Sequence, residues 1–150
     1  MVEYRVIIPE EEVRIIEFIQ DGHPGVAYVN RSLKDFEPKV VFGWHLSIMI
    51  ELQDLAEKGM PSLKELEILE EFGKSLNANI VGTNNERPNA IFLARITWNK
   101  TRELIWRIHD PELSNNYLQQ IISDKSYPRQ FDYRIDPDNE WKLTEWHLNN

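Results

Sequence analysis

Residues 90–110, AIFLARITWNKTRELIWRIHD, constrain the fold more than any other stretch, because apolar and polar side chains alternate through two arms separated by a polar turn. Even positions of the first arm are Phe92, Ala94, Ile96 and Trp98, and those of the second are Leu104, Trp106 and Ile108. A period of two marks a strand with one buried face, so the stretch predicts a β-hairpin whose two apolar sets share a side. That requirement predicts the register: Ile96 opposite Leu104, Phe92 opposite Ile108, and small Ala94 opposite bulky Trp106. Such pairing needs an odd loop, Asn99-Lys100-Thr101, or a shorter turn combined with a bulge. An apolar face of this size must be covered by other elements.

Residues 40–52 supply a partner strand, with Val40, Phe42, Trp44, Leu46, Ile48, Ile50 and Leu52 on one side. A run so long and one-sided is expected to be central in a sheet. Ser62 and Glu65 have capping-box spacing and open a helix with Leu63, Leu66, Leu69, Phe72 and Leu76 on its inner stripe. Gly73 interrupts it at a cost of about 1 kcal/mol relative to alanine, which predicts a close approach of helix to sheet. Asp110 as N-cap and Pro111 at the first helical position open a second helix, carrying Leu113, Tyr117, Leu118, Ile121 and Ile122. Beyond Pro128, Phe131, Tyr133 and Ile135 alternate with Asp132 and Arg134 in a last strand, and Asp138 is placed to cap a short terminal helix packing Trp141 and Trp146. Before all this, residues 4–8, 13–19 and 26–30 read as strands, the last two joined around Asp21-Gly22-His23-Pro24-Gly25.

Leaving the amino-terminal strands aside, the order strand, helix, strand, strand, helix, strand predicts an α+β fold. The expected form is a ferredoxin-like two-layer sandwich: split βαβ, an antiparallel sheet with two helices on one face, and an amino-terminal β-hairpin extension. Its first and third strands are expected side by side and are read as parallel. The 150 residues make one domain, with an accessory β layer at 1–30, the core at 40–136 and a carboxy-terminal cap at 137–150.

Twenty-five acidic against 17 basic residues leave a net charge of −8, which opposes binding to nucleic acid and to anionic membranes. The same charge suits a basic protein partner. With no cysteine, thiol catalysis, thiolate metal sites and disulfides are excluded. No leader pattern or membrane-length apolar run is present, so a cytoplasmic protein is expected, and the triplets at Asn30 and Asn99 that mimic glycosylation sites are read as chance. There is no phosphate loop and no compact ligand spacing, so neither cofactor nor metal is expected.

Several spaced motifs together carry a family resemblance. Asp21-Gly22-His23-Pro24-Gly25 before VAYVN, a long strand, Gly59-Met60-Pro61 opening a helix, Thr101-Arg102-Glu103 in a hairpin and Asp138-Asn139-Glu140-Trp141 near the end resemble the bacterial domain-of-unknown-function family 695. The resemblance spans roughly residues 13–148, and this chain departs from it in having Asn99-Lys100 where a glycine-containing turn is usual. More distantly, the sandwich is similar to the bacterial regulator-of-ribonuclease-activity B proteins, which bind and inhibit ribonuclease E. That similarity implies a protein-binding role.

The sheet face turned away from the helices is where function is expected. On it, His45, Ser47, Met49 and Glu51 would lie next to Glu103, Ile105, Arg107 and His109, with Arg95 nearby. A histidine tuned by a carboxylate is the outline of a general base, so His45 and Glu103 are the catalytic candidates of a small hydrolase-like enzyme. A surface ion pair, such as Glu51 with Arg107, is the plainer reading. The apolar content of the same face favours a binding or regulatory domain, with Met49, Ile105, Arg107, His109 and Arg95 as contact residues for a protein partner or a second copy of the chain. Cover from within the chain, by the amino-terminal strands, would account for the same apolar groups. Phe42, Trp44, Phe92, Trp98 and Trp106 are assigned to the helix side, which leaves no aromatic platform for bases and disfavours RNA binding.

Overall fold

A computed structural model of the chain describes residues 6–84 and 86–150. In order come β1 (Val13–Gln20), β2 (His23–Asn30), β3 (Trp44–Glu51), α1 (Leu63–Val81), β4 (Ala90–Trp98), β5 (Thr101–Ile108), α2 (Pro111–Asp124), β6 (Phe131–Pro137) and α3 (Glu145–Asn149). The strands form a six-stranded sheet ordered β1-β2-β4-β5-β3-β6, with every neighbour antiparallel. β3 and β5, expected as parallel neighbours, therefore run in opposite directions. The connection through α1 sets β4 parallel to β3, and the tight hairpin then sends β5 back between them. The amino-terminal strands, expected as an accessory layer, instead lengthen the sheet, with β2 pairing along β4 from Gly25 and Trp98 to Val29 and Ala94. Of the strand expected at 4–8, residues 6–8 are irregular, and residues 4 and 5 lie outside the described residues.

The central hairpin forms with a different register. Asn99 and Lys100 both take positive φ, 40° and 69°, and make a two-residue turn whose twist matches the flanking strands, so Trp98 pairs with Thr101. The extra residue is absorbed by a bulge at Leu93, between the pairs Phe92 with Trp106 and Ala94 with Ile105. Ile96 consequently faces Glu103 rather than Leu104. A one-residue bulge exchanges the two faces of everything between itself and the turn. Ala90 and Phe92 stay on the helix side, while Ala94 and Ile96 join the opposite core. Trp98 follows them, correcting its assignment to the helix side; its indole Nε1 donates to the carbonyls of Gln20 and His23 at 3.1 and 3.2 Å.

One core lies under the helices. Leu46, Ile48 and Ile50 of β3 and Leu104, Trp106 and Ile108 of β5 pack against Leu69, Phe72, Leu76 and Ile80 of α1 and Leu118 of α2. Ser62 caps α1 by accepting from the Glu65 amide at 3.1 Å, but Glu65 does not close a capping box. Its buried carboxylate accepts instead from the Gln53 and Asp54 amides and pairs with Arg129 at 2.6 Å. Leu63 and Leu66 are both exposed, so the apolar inner stripe starts only at Leu69, six residues later than the leucine spacing suggests. Nor does Gly73 mark a close approach, since a Cβ there would meet nothing within 4 Å.

A second core covers the other sheet face. The strand expected from 40 begins only at Trp44, because residues Lys39–Phe42 form a 3-10 turn. Gly43 sits where the chain bends, with the Asn139 side chain and the Val40 carbonyl occupying the space of a Cβ. The turn carries Val41 and Phe42 across the sheet, where with Leu33, Phe36, Trp141 and Leu148 they bury Ala27, Val29, Ile91, Leu93, Ala94 and Ile105. Phe42 thus belongs to this core and not to the helix side. Cover does come from within the chain, but chiefly from residues 31–42 and 141–148 rather than from the amino-terminal strands, of which Ile16 and Phe18 contribute from the edge.

Candidate functional site

Antiparallel pairing decides which side chains meet on the second face. His45 stands opposite Arg107, Ser47 opposite Ile105, Met49 opposite Glu103 and Glu51 opposite Thr101. His45 and Glu103 are therefore two pairs apart, and Glu103 accepts a hydrogen bond from Ser47 Oγ at 2.5 Å. The Nδ1 atom of His45 lies 3.4 Å from Arg107 Nη1. An arginine only donates, so Nδ1 keeps its lone pair and the ring proton sits on Nε2. Burial, reinforced by the Arg107 charge, pushes the His45 pKa down to about 4, so the ring is neutral at physiological pH.

Arg107 is buried rather than presented. Its Nε donates to the Phe42 carbonyl at 3.2 Å, Nη1 to Asp138 Oδ2 at 3.0 Å, and Nη2 to the Asp138 carbonyl at 2.5 Å. The guanidinium also lies 4.8 Å over the Trp141 ring. Ile105 is 1 % exposed and belongs to the second core. Neither residue is open to a partner, which corrects the picture of a bare sheet face. His109, exposed just beyond β5, holds its Nδ1 2.6 Å from the Val41 carbonyl. Arg95 lies on the opposite side of the sheet because of the bulge, its guanidinium 4.7 Å over the Tyr28 ring.

What stays open is a cleft between the far end of this face and α3. One cavity of about 400 Å³ is walled by Phe18, Met49, Ile96, Trp98 and Trp146. A second, of about 360 Å³, is lined by His45, Ser47, Ile105, Asp132 and Asp136, and the two share Met49, Glu103 and His147. Met49 is 38 % and Trp146 46 % exposed. The Phe18 ring lies across Gly25, where no side chain would fit, and meets Trp146 edge-on at 5.9 Å. Among the described residues no group of three or more His, Cys, Asp or Glu side chains could hold a metal ion, and no helix is long and apolar enough to cross a membrane.

A family model described as a family of unknown function, DUF695, matches residues 18–146. The chain belongs to the DUF695 family. No curated protein and no solved structure matches it. The match runs from within β1 to within α3 and takes in the Arg107 and Asp138 clasp and the cleft residues from Phe18 to Trp146, while His147 of the cleft and Leu148 of the second core lie just beyond it.

Of the cleft residues, Met49 and Glu103 were legible in the sequence, as odd positions of two strands. Phe18, Ile96, Trp98 and Trp146 were not. For Ile96 and Trp98 the reason is the bulge, and for Phe18 and Trp146 it is their arrival from opposite ends of the chain.

Proposed function

We propose that this DUF695 chain is a small cytosolic binding domain, regulatory in kind, that takes an apolar segment with basic flanks from a protein partner into the cleft beside α3. The observation that carries this reading is the cleft itself, where Met49 and Trp146 remain exposed beside Phe18, Ile96 and Trp98 although the rest of the face is covered. Aromatic and methionine side chains in one cleft are the usual anchors of an interface. Glu103 in the shared wall, Asp132 opposite Met49 in β6, and the net charge of −8 favour a basic flank on the partner.

The run β6-β3-β5-β4, with α1 and α2 packed on one side, supports reading residues 44–137 as a ferredoxin-like core. The hydrolase-like alternative has less support, because Glu103 is engaged by Ser47 and a histidine with a pKa of about 4 is a weak base.

A photo-crosslinking side chain placed at Leu143, an exposed residue that lines the same cleft, tests the proposal in cells. Capture of a basic protein that Met49→Asp no longer retains, while Lys100→Ala still does, is the expected result. Equal capture by Met49→Asp, with the fold intact, would show that the cleft is not the docking surface.

A further inference from the structure

On the helix side of the sheet, beside α1, two arginines share one opening. Arg102 in β5 pairs with Thr97 of β4 and Ile50 of β3, and its Nε donates to Thr97 Oγ1 at 3.0 Å. The residue is only 7 % exposed, yet its guanidinium forms no ion pair among the described residues, and neither terminal nitrogen has an acceptor there. Arg95 comes to the same side through the bulge and stacks on Tyr28. Both arginines line two adjoining hollows, of about 300 and 250 Å³.

The larger hollow opens beside Gly73, whose missing side chain leaves room there, and carries Lys74 and Asn77 together with the carboxylates of Glu11 and Glu70. Glu70 is paired with Lys74 at 3.6 Å. The smaller hollow has no carboxylate, and its walls include Ile15, Val26, Tyr28, Met60 and Leu66. The charge of Glu65 reaches Arg102, but its carboxylate oxygens are taken up by Arg129, so the Arg102 guanidinium fork, which matches the two oxygens of an oxyanion, is left facing the hollows. Burial, then the neighbouring charge of Arg95, lowers the Arg102 pKa to about 10, so it remains charged at physiological pH.

We propose that Arg102 and Arg95 form a binding site for a small organic carboxylate, whose oxygens engage the guanidinium of Arg102 under Arg95 and whose apolar body lies along Ile15, Val26, Met60 and Leu66. This site is separate from the cleft beside α3 and does not depend on the partner proposed there.

Calorimetry and thermal melting of the full chain with sodium octanoate, octan-1-ol and inorganic phosphate test the assignment. Octanoate is expected to bind and raise the melting temperature, with octanol and phosphate at least about tenfold weaker, a factor equivalent to about 1.4 kcal/mol. Arg102→Met keeps the apolar stem and is expected to weaken octanoate binding at least about tenfold without lowering the melting temperature of the free protein. Arg95→Gln, at a half-buried position, is expected to weaken it severalfold and gives the same reading should Arg102→Met fail to fold. Octanoate binding unchanged in either folded variant, octanol or phosphate binding as tightly as octanoate, or no binding of octanoate to the native chain would each overturn the proposal.

Discussion

Arg107 Nη1 and Asp138 Oδ2 lie 3.0 Å apart with side chains 0 % and 8 % exposed, and this contact ties the centre of the sheet to the carboxy-terminal segment. The same Asp138 carboxylate accepts from the Lys142 and Leu143 amides, both at 2.9 Å, so one side chain neutralises a buried cation and caps the following turn. Removing it leaves Arg107 buried without its partner, which costs roughly 3 to 5 kcal/mol. Asp138→Ala should lower the urea midpoint by a corresponding amount and open residues 138–149 to proteolysis before global unfolding. Protection of that segment unchanged from the native chain would show that the clasp is not what holds it.

His45 makes stability depend on pH in a defined window. Its pKa falls from an ordinary 6.5 to about 4 in the folded chain, so between those values the unfolded chain binds the proton that the folded chain refuses. The contribution is fully present above pH 6.5 and is lost as pH falls toward 4, up to about 3 kcal/mol at the bottom of the window. Unfolding free energy measured across that range should slope upward with pH, and His45→Gln should flatten the slope.

A second window lies lower. The Arg129 guanidinium, helped by the Gln53 and Asp54 amides, holds the Glu65 carboxyl at about 2, against an ordinary 4.5. Its stabilisation is complete above 4.5 and disappears as pH falls toward 2, again of order 3 kcal/mol. Glu65→Gln should therefore be less stable than the native chain at pH 7, with the two converging near pH 2, as followed by denaturant titration at each pH.

Ile105 and Met49 separate core from surface on the same sheet face. Ile105 is enclosed by the second core, so Ile105→Asp buries an unpaired charge and should abolish the cooperative melting transition. Met49→Asp changes an exposed position and should shift stability by about 1 kcal/mol or less. Equal stability of the two variants would mean that residues 31–42 and 141–148 do not cover Ile105 in solution.

The central hairpin offers a pair of opposite effects. Trp106 is fully buried with its Nε1 donating to Asn77 Oδ1 at 2.9 Å, and Trp106→Ala should cost about 3 to 5 kcal/mol. Lys100 holds φ at 69° in the turn, a conformation that glycine adopts freely, so Lys100→Gly should stabilise by about 0.5 to 1 kcal/mol. Thermal melts of both variants check the turn and the register together.

Local information determined much of this protein. The alternation in 90–110, the Asp110 and Pro111 start of α2, the Ser62 cap of α1, the strand at 131–137 and the capping role of Asp138 were all legible, because period, cap chemistry and ring constraints act within a few residues. So were the element order and the family resemblance. The bulge at Leu93 was not, since a two-residue turn with a bulge and an odd loop satisfy the same local pattern, and only packing on both faces chooses between them. That choice moved Ile96 and Trp98 to one side of the sheet and Arg95 to the other, and so built both candidate sites. Likewise the even spacing of residues 40–52 continued through Phe42, but the second core needed a cover and drew residues 39–42 out of the strand. Burial of Arg107 depended on Asp138 arriving from 31 residues downstream, whereas Glu65, whose charge reaches Arg102, is hydrogen-bonded to Arg129 instead. Whether a charge on a strand ends up clasped or waiting for a ligand is set by contacts distant in sequence, and those exist only once the chain has folded.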